Sequence, residues 1–322
     1  MTVTQEQAAW FADAFEKLVD NVDKAILGKR DIIGLVVTAM LSGGHVLLED
    51  LPGTGKTVLA KSLSNTLSGT SSRIQFTPDL LPSDVTGVTI FDQAKGVFEF
   101  HRGPIFASIV LADEINRASP KTQSALLEVM EEGRVTIDGV SHDVGTPFMV
   151  IATQNPVEQA GTYRLPEAQL DRFLIKTSLG YPDRAVSVEL LADAANRNRS
   201  SAVAPIVTPD TIATMSALAT DVYVDRAVLE YLNDIVAATR DDKDVSVGVS
   251  MRGALALARV VKTRALSKGR TYVTPDDVRE LATPVLAHRL IVDPESDFAG
   301  VTAQQIIDRI TVTIDPPAFR AA

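Results

Sequence analysis

The stretch "EDLPGTGKT", residues 49–57, has the residue types of a loop that holds phosphate. Gly55, Lys56 and Thr57 stand correctly at the end of the pattern G-x-x-x-x-G-K-[ST]. In such a loop backbone N–H groups face an anion, the lysine neutralises the β- and γ-phosphates, and the hydroxyl faces Mg²⁺. The first glycine is replaced by Asp50, which tolerates left-handed backbone angles. We predict a nucleotide loop in which the Asp50 carboxylate points away from the phosphates.

Two later strings place polar side chains directly after apolar runs. In "SIVLADEINRA", Asp113 ends a predicted buried strand and Glu114 follows it. At the carboxyl edge of a parallel sheet, Asp113 can hold the Mg²⁺ shell and Glu114 can activate a water for attack on the γ-phosphate. In "VIATQNP", Asn155 can hold the attacking water, although an asparagine before proline is also an ordinary turn residue.

The spacing of the arginines and histidines alone does not indicate a function for them. Arg172 and Arg252 are single arginines near predicted helix ends, where most arginines are solvated. The four histidines have no metal-ligand spacing, and we interpret them as structural or surface residues: His45, His101, His142 and His288.

The elements that must position these side chains alternate between strand and helix. Short apolar runs predict strands at 44–50, 73–76, 108–113, 147–153 and 173–179. Between them, Ser119 and Pro120 predict a helix start, Gly133 predicts its end, and Asp138-Gly139 predicts a hairpin turn. Strands alternating with helices indicate a doubly covered parallel α/β sheet.

From about residue 180 the pattern changes to helical periodicity, without a convincing strand as far as residue 292. At the other end, residues 4–24 carry an amphipathic helix with a Thr4–Gln7 capping box. We therefore predict an α/β nucleotide-binding domain over 1–185, which includes the N-terminal helix, and a smaller all-α domain over 186–322.

Composition limits the class of protein. The chain has 322 residues and no cysteine, which excludes disulfides and Cys-ligated zinc. Its apolar runs fall short of the roughly 18 residues that span a bilayer. The net charge is −10 and the sequence pI about 5.0, whereas strong nucleic-acid binders usually present a basic surface. We expect a cytoplasmic protein without membrane insertion, whose main partner is not nucleic acid.

Taken together, the strings "EDLPGTGKT", "GPIFASIVLADEINRASPKTQSALLEVMEEGRVTIDG", "VIATQNPVEQAGTYRLPEAQLDRFL" and "GRTYVTPDDV" closely resemble the MoxR family of AAA+ ATPases over residues 25–290. The resemblance implies a P-loop fold with an α-helical lid, and roles for individual residues. Nucleotide contacts are implied for Pro52, Gly53, Thr54, Gly55, Lys56, Thr57, Val58 and Asp113, with Thr57 and Asp113 facing Mg²⁺. Catalytic roles are implied for Glu114, for Asn155 as first sensor, for Arg172 as arginine finger, and for Arg252 as second sensor.

The same resemblance implies a mechanism. Mg²⁺-ATP would bind between the subunits of a homo-oligomeric ring, expected to be a hexamer, and Arg172 would complete a neighbour's site. Hydrolysis would drive chaperone-like remodelling, assembly or metallation of partner proteins, with a von Willebrand factor A domain protein as the expected partner. The string "GVSMRG" departs from the usual "SPRA", so the second-sensor role rests on Arg252 and its helix.

Three other functions stay open at this point. The chain could be the ATPase motor of a metal-chelatase-like complex, which needs a dedicated catalytic partner. It could be a nucleic-acid motor, which the acidic charge disfavours. It could also be a nucleotide-binding switch without turnover, which the presence of Glu114, Asn155 and Arg172 disfavours.

Overall fold

The chain is described by a computed structural model over residues 3–50, 53–155, 163, 165–192 and 199–317. These residues form two compact units, each built from discontinuous segments. The sheet unit comprises Lys17–Leu165 and Thr177–Ala213, and the lid unit comprises Met1–Glu16, Pro166–Lys176 and Thr214–Ala322. The predicted division of the chain into domains 1–185 and 186–322 stays a prediction.

The strands up to residue 177 include every strand that the sequence predicts in this region. Their bounds are β1 Val46–Glu49, β2 Ser71–Gln75, β3 Gly87–Asp92, β4 Val97–Arg102, β5 Ile109–Asp113, β6 Arg134–Ile137, β7 Val140–Asp143, β8 Met149–Gln154 and β9 Ile175–Thr177. Among the described residues, one five-stranded sheet has the order β2-β5-β8-β1-β9. All residues of β5 are buried, as expected for a strand covered on both faces.

The register of this sheet aligns the carboxyl ends of its central strands. Gln75 at the end of β2 pairs with Asp113 at the end of β5, and Glu49 at the end of β1 pairs with Gln154 at the end of β8. Because the strands are parallel, the loops that follow them leave from the same edge. This edge receives the polar side chains that the sequence analysis singles out.

Helices precede, connect and follow these strands. Their bounds are α1 Gln5–Asp23, α2 Arg30–Leu41, α3 Lys56–Thr66, α4 Pro82–Thr86, α5 Pro120–Glu132, α6 Glu167–Leu170 and α7 Arg184–Ala192. The start of α5 is as predicted, since the Ser119 side chain accepts from the Thr122 N–H, and Gly133 ends the helix at φ 66°. The capping box of α1 also forms between Thr4 and Gln7.

Two antiparallel hairpins extend from the sheet unit. One pairs β3 with β4, and the other pairs β6 with β7. The turn of the second hairpin places Asp138 at φ 50° and Gly139 at φ 78°, the left-handed angles that a two-residue hairpin loop requires. The Asp-Gly signal is thereby confirmed.

After α7 the chain is mainly helical. The helices are α8 Pro209–Thr220, α9 Arg226–Asp241, α10 Met251–Ser267, α11 Pro275–Leu286, α12 Pro294–Phe298 and α13 Ala303–Thr313. In this helical region the sequence analysis does not predict the pairing of Val245–Val247 (β10) with Ile291–Val292 (β11), just as it does not predict the hairpin of β3 and β4. Strands of two and three residues are too short to show an alternating pattern.

Candidate nucleotide site

The loop between β1 and α3 has the backbone geometry of an anion-binding loop. Gly53 lies at φ 86° and Gly55, the N-cap of α3, lies at φ 98°. L-residues rarely adopt such angles, which explains the two glycines. The first turn of α3 carries no acidic residue, so its N–H groups and its positive dipole end meet no carboxylate within that turn.

The side chains at this helix start fit a polyphosphate. The Lys56 Nζ donates to the backbone oxygen of Asp50 at 3.1 Å, at the mouth of the loop. Thr57 is exposed and Val58 is half-buried, while a Cβ at Gly53 would meet nothing within 4 Å. The loop therefore offers N–H groups, an ammonium and a hydroxyl to an anion with a bound cation. Pro52, also expected at this site, lies outside the described residues.

Asp50 has a more specific role than the sequence analysis gives it. Its side chain is buried, with the residue 3% exposed. The carboxylate accepts from the Ser178 hydroxyl at 2.8 Å and from the N–H groups of Leu179 and Gly180 at 2.7 and 2.8 Å. It faces the turn after β9, as expected of a side chain that avoids phosphate. Asp50 is not among the described non-glycine residues with positive φ, so its role is to hold this turn and not to provide a left-handed backbone.

Asp113 is oriented by a buried threonine. The Thr153 hydroxyl, at the carboxyl end of β8, donates to the Asp113 Oδ1 at 2.6 Å and accepts from the Glu114 N–H at 2.9 Å. The Arg73 guanidinium, which is half-exposed, donates to the Asp113 Oδ2 at 2.7 Å. One oxygen is thus fixed by a buried bond and the other by a bond that water can replace at little cost. This arrangement suits a carboxylate that must face a metal shell.

Glu114 combines an unusual backbone with adjustable partners. Its φ of 58° and ψ of 49° lie in the left-handed region, which costs a non-glycine residue about 1–3 kcal/mol and is typical of functional sites. Its Oε2 accepts from the Gln75 amide and from the Arg117 guanidinium, each at 3.0 Å. Both partners are exposed side chains. The carboxylate can therefore leave them without unpairing a buried group.

The predicted site residues fall into two groups. The first group lies at one edge of the sheet, where Asp113 ends β5, Glu114 follows it and Asn155 follows β8. Lys56 belongs to this group because it begins α3, the helix after β1. Arg172 and Arg252 belong to the lid unit.

Arg172 lies two residues beyond α6, and Arg252 is the second residue of α10, where the Ser250 side chain caps the helix by accepting from Gly253 N–H. In the lid unit, the Arg252 Nε lies 4.0 Å from the Oδ2 of Asp171, the residue before Arg172. The predicted second sensor therefore lies close to the carboxylate of the residue that precedes the predicted finger.

Sequence reasoning missed four residues that hold the acidic pair: Arg73, Gln75, Arg117 and Thr153. Thr153 left a weak signal, since a threonine ending an apolar strand is a polar group at the sheet edge. The other three lie on exposed surfaces that carry no pattern.

The histidines agree with a structural interpretation where their contacts are known. The His45 Nδ1 accepts from the Val150 N–H, and its Nε2 lies 2.9 Å from the Met130 oxygen. His288 is buried, and its pKa is held well below 6.5 by desolvation and by the neighbouring Arg289 charge. Within the described residues, no group of three or more His, Cys, Asp or Glu side chains could hold a metal by itself.

Comparison with known proteins agrees with this geometry. Residues 45–175 match the family model "ATPase family associated with various cellular activities (AAA)", and residues 237–310 match an AAA lid domain model. The chain is 46% identical to the uncharacterised Bacillus subtilis protein YeaC, over 95% of this chain and 96% of that protein. It is 37% identical to the Mycobacterium tuberculosis chaperone MoxR1, over 95% of this chain and 83% of that protein.

The chain belongs to the MoxR family of AAA+ ATPases. The crystal structure of a candidate ATPase from Cytophaga hutchinsonii has the same fold, with a TM-score of 0.90, 38% identity, and coverage of 97% of this chain and 98% of that one. Magnesium-chelatase ATPase subunits are more distant: the chloroplastic ChlI-1 subunit of Arabidopsis thaliana is 26% identical over 74% of this chain and 55% of its own length. None of the helices among the described residues combines the length and the hydrophobicity that a membrane span requires.

Proposed function

We propose that this MoxR-family protein binds ATP with Mg²⁺ and hydrolyses it at the carboxyl edge of the sheet. The observation that carries the proposal is the arrangement of Asp113, Glu114 and Thr153, in which one buried hydroxyl fixes both acidic residues beside the phosphate loop. Lys56 and the N–H groups at the start of α3 hold the phosphates, and Thr57 and Asp113 hold the metal shell. Mg²⁺ would supply charge neutralisation on the phosphates.

Each remaining residue has one task in this proposal. Glu114 orients a water and takes up its proton, and Asn155 holds that water in line with the γ-phosphate. Arg172 acts on the site of the neighbouring subunit, where an arginine finger contributes about 10³ to 10⁵ in rate. Arg252 senses the nucleotide from the lid unit. These tasks require an oligomer, for which we propose a hexameric ring.

We further propose that the energy of hydrolysis remodels other proteins. The name of the 37%-identical mycobacterial relative, a chaperone, supports this use. A von Willebrand factor A domain protein is the partner that the family resemblance favours. The chelatase-type motor is the second candidate, supported by the distant ChlI-1 relative. A chaperone would recruit client proteins, whereas a chelatase motor would need a dedicated metal-inserting subunit.

The catalytic proposal is tested with Glu114→Gln. The variant should bind ATP, stabilise the oligomer, and lose turnover by about 10² to 10⁴, as expected when a general base is removed. Glu132→Gln is the matched control, because Glu132 is an exposed glutamate at the end of α5, and it should hydrolyse ATP as the wild type does. Wild-type turnover by Glu114→Gln would overturn the assignment.

The trans role of Arg172 is tested by mixing subunits. Arg172→Ala supplies an intact phosphate loop, and Lys56→Ala supplies an intact finger, so mixed rings should regain activity that neither variant has alone. Absence of recovery in verified mixed rings would contradict a trans role.

The class of partner is tested by protein capture, with the ATP-bound Glu114→Gln protein as the bait. Capture of a von Willebrand A protein with a bound client supports the chaperone, and capture of a chelatase-type catalytic subunit supports the motor.

The nucleic-acid alternative has its own measurement. ATP turnover is recorded with single- and double-stranded DNA at low salt, where phosphate contacts are strongest. We expect no stimulation, given the net charge of −10. A large stimulation would favour a nucleic-acid motor.

A further inference from the structure

Arg289 is a buried arginine of the lid unit to which the proposed mechanism assigns no role. It ends a short 3-10 turn after α11, and its side chain is 3% exposed. Burial lowers the pKa of this guanidinium, and the hydrogen bond to Asp171 opposes that effect. A charge so deeply buried requires partners with good geometry.

The guanidinium places all five of its N–H donors on backbone and carboxylate oxygens. Its acceptors are the Asp171 carboxylate at 2.6 Å, the backbone oxygens of Asp171, Phe173 and Leu174 at 3.2, 2.8 and 3.4 Å, and the backbone oxygen of Val285. His288 adds two contacts, since its Nε2 lies 2.9 Å from the Phe173 oxygen and 2.9 Å from the Arg289 Nη1. We call these residues the Arg289 cluster: Asp171, Phe173, Leu174, Val285, His288 and Arg289.

Most of these acceptors flank Arg172 in sequence. The residue before it is fixed through its carboxylate and its carbonyl, and the two residues after it are fixed through their carbonyls. Phe173 and Leu174 are also buried. The backbone that carries the Arg172 side chain is therefore fixed on both sides, and by one guanidinium.

The aliphatic part of the Arg289 side chain packs against the start of α10. A Cβ at Gly253 would lie 2.8 Å from the Arg289 Cδ and 2.5 Å from the Val249 Cγ1. Only glycine therefore lets the stem pass this close to the residue that follows Arg252. The cluster thus links the segment of the proposed finger to the helix of the proposed second sensor within one compact unit.

We propose that Arg289 is a positioning residue for Arg172, which holds the finger segment and the start of α10 as one body. A lysine could not replace it, because an ammonium has three donors in place of a planar fork of five. The inference rests on the proposed finger role of Arg172. It adds that the finger's geometry depends on a residue more than a hundred positions away in the chain.

The first experiment compares kcat in Arg289→Met and Arg289→Lys with a matched control. Arg270→Met is that control, because Arg270 forms a two-bond ion pair with the buried Asp277 in the same unit, and its other hydrogen bonds go to Tyr272 and Thr274. We expect Arg289→Met to lower kcat by about 10², the cost of a 1 Å misplacement. Arg289→Lys should lie between Arg289→Met and the wild type, and Arg270→Met should lower thermal stability but not kcat.

Assays are run at a temperature where every variant is folded by circular dichroism. If Arg289→Met fails to fold, Arg289→Lys carries the comparison. Wild-type kcat in folded Arg289→Lys and in any folded Arg289→Met would overturn the inference.

The second experiment is a double-mutant cycle with Arg172→Ala. If Arg289 acts through Arg172, adding Arg289→Met or Arg289→Lys to Arg172→Ala should change kcat by less than about twofold. A purely structural role predicts instead that the two losses multiply, and that result would overturn the inference. If Arg172→Ala alone left kcat unchanged, the finger assignment itself would be wrong, while the Glu114→Gln result would still stand.

The third experiment asks in which subunit Arg289 acts. Arg289→Met or Arg289→Lys subunits mixed with Lys56→Ala subunits should regain activity, as Arg172→Ala subunits do, because the Lys56→Ala neighbour supplies a correctly held finger. A merely destabilised site would not be rescued by its neighbour. Lack of recovery in rings where the Arg172→Ala mixture recovers would overturn the inference.

Discussion

At the carboxyl edge of the sheet, the carboxylate of Glu114 is held by two exposed side chains, and its backbone is left-handed. In the lid unit, the segment around Arg172 is held by Arg289, whose side chain is 3% exposed and whose five donors all find acceptors. Both regions position a residue that we assign to ATP hydrolysis. They differ in whether the holding bonds can be exchanged for water.

This difference follows from what each residue must do. A general base has to approach and leave a water during each turnover, so bonds to exposed partners suit Glu114. An arginine finger has to meet a phosphate group at a fixed distance, so a buried cluster suits Arg172. The comparison predicts that substitutions at the sheet edge lower the rate of the chemical step directly. Substitutions in the Arg289 cluster should lower it by displacing Arg172.

The largest effect should come from Thr153→Val, which keeps the volume and removes the hydroxyl that joins Asp113 to Glu114. Loss of this orientation should lower kcat by about 10², with nucleotide affinity changed far less. Thr153→Ser is the control, because it retains the hydroxyl and should keep most of the activity. Equal kcat in the Val and Ser variants would show that the hydroxyl does not orient the acidic pair.

Next in size is Asp50→Ala, measured by chemical denaturation. The variant removes the acceptor of three hydrogen bonds to residues 178–180 and leaves two N–H groups without a partner. We expect the free energy of unfolding to fall by about 2 kcal/mol. ATP affinity of the folded protein should change little, since the carboxylate faces away from the loop. A large gain in affinity would mean that Asp50 repels the phosphates.

A smaller effect should appear in the pH dependence of stability, through His288. Burial and the Arg289 charge depress the pKa of His288 in the folded protein. Below about pH 6.5 the unfolded chain therefore takes up a proton that the folded chain does not, and stability falls as the pH falls. The contribution is at most about 1.4 kcal/mol per pH unit.

His288→Asn should remove this contribution to the pH dependence of the free energy of unfolding. The free energy of unfolding is measured for both proteins between pH 8 and 5. The two curves should run parallel above pH 7 and diverge below 6.5, where the wild type loses stability faster. Parallel curves down to pH 5 would mean that His288 titrates normally inside the Arg289 cluster.

The smallest effect is expected for Lys29→Met. The Lys29 Nζ donates to the Tyr181 oxygen at 2.8 Å, in an exposed bond beside the turn that Asp50 holds. Because water can replace this bond, the free energy of unfolding should fall by less than about 1 kcal/mol. The pair Asp50→Ala and Lys29→Met therefore compares buried with exposed bonds at neighbouring positions. If both variants lost the same free energy of unfolding, buried and exposed bonds would not differ in strength here. The comparison of the two regions would then lose its basis.

Much of the sheet edge could be predicted because its signals are local. The two glycines, Lys56 and Thr57 lie within five residues, and the run before Asp113 is a complete buried strand. The parallel direction of the strands then follows from the alternation of strands and helices, and it brings Asn155 to the same edge. The turn of the second hairpin was predictable for the same reason, since Asp138 and Gly139 encode it by themselves.

The Arg289 cluster could not be predicted, because its partners lie far apart in the chain and share no spacing. Asp171 and Arg289 are separated by 118 positions, and nothing in "AHRLIVDPE" distinguishes a buried arginine from a solvated one. Asp50 belongs to the same class, since its acceptor role depends on residues 128 to 130 positions away.

The sequence by itself determined the glycine-rich loop and the acidic pair that we assign to ATP, the fold class and the family resemblance. Each depends on short-range pattern and on the periodicity of strands and helices. Only the tertiary structure decided how these groups are held: Asp113 by a threonine, Asp50 by a distant turn, and the Arg172 segment by Arg289. A buried polar group must find partners wherever the fold supplies them. Which partners those are is a property of the packed chain.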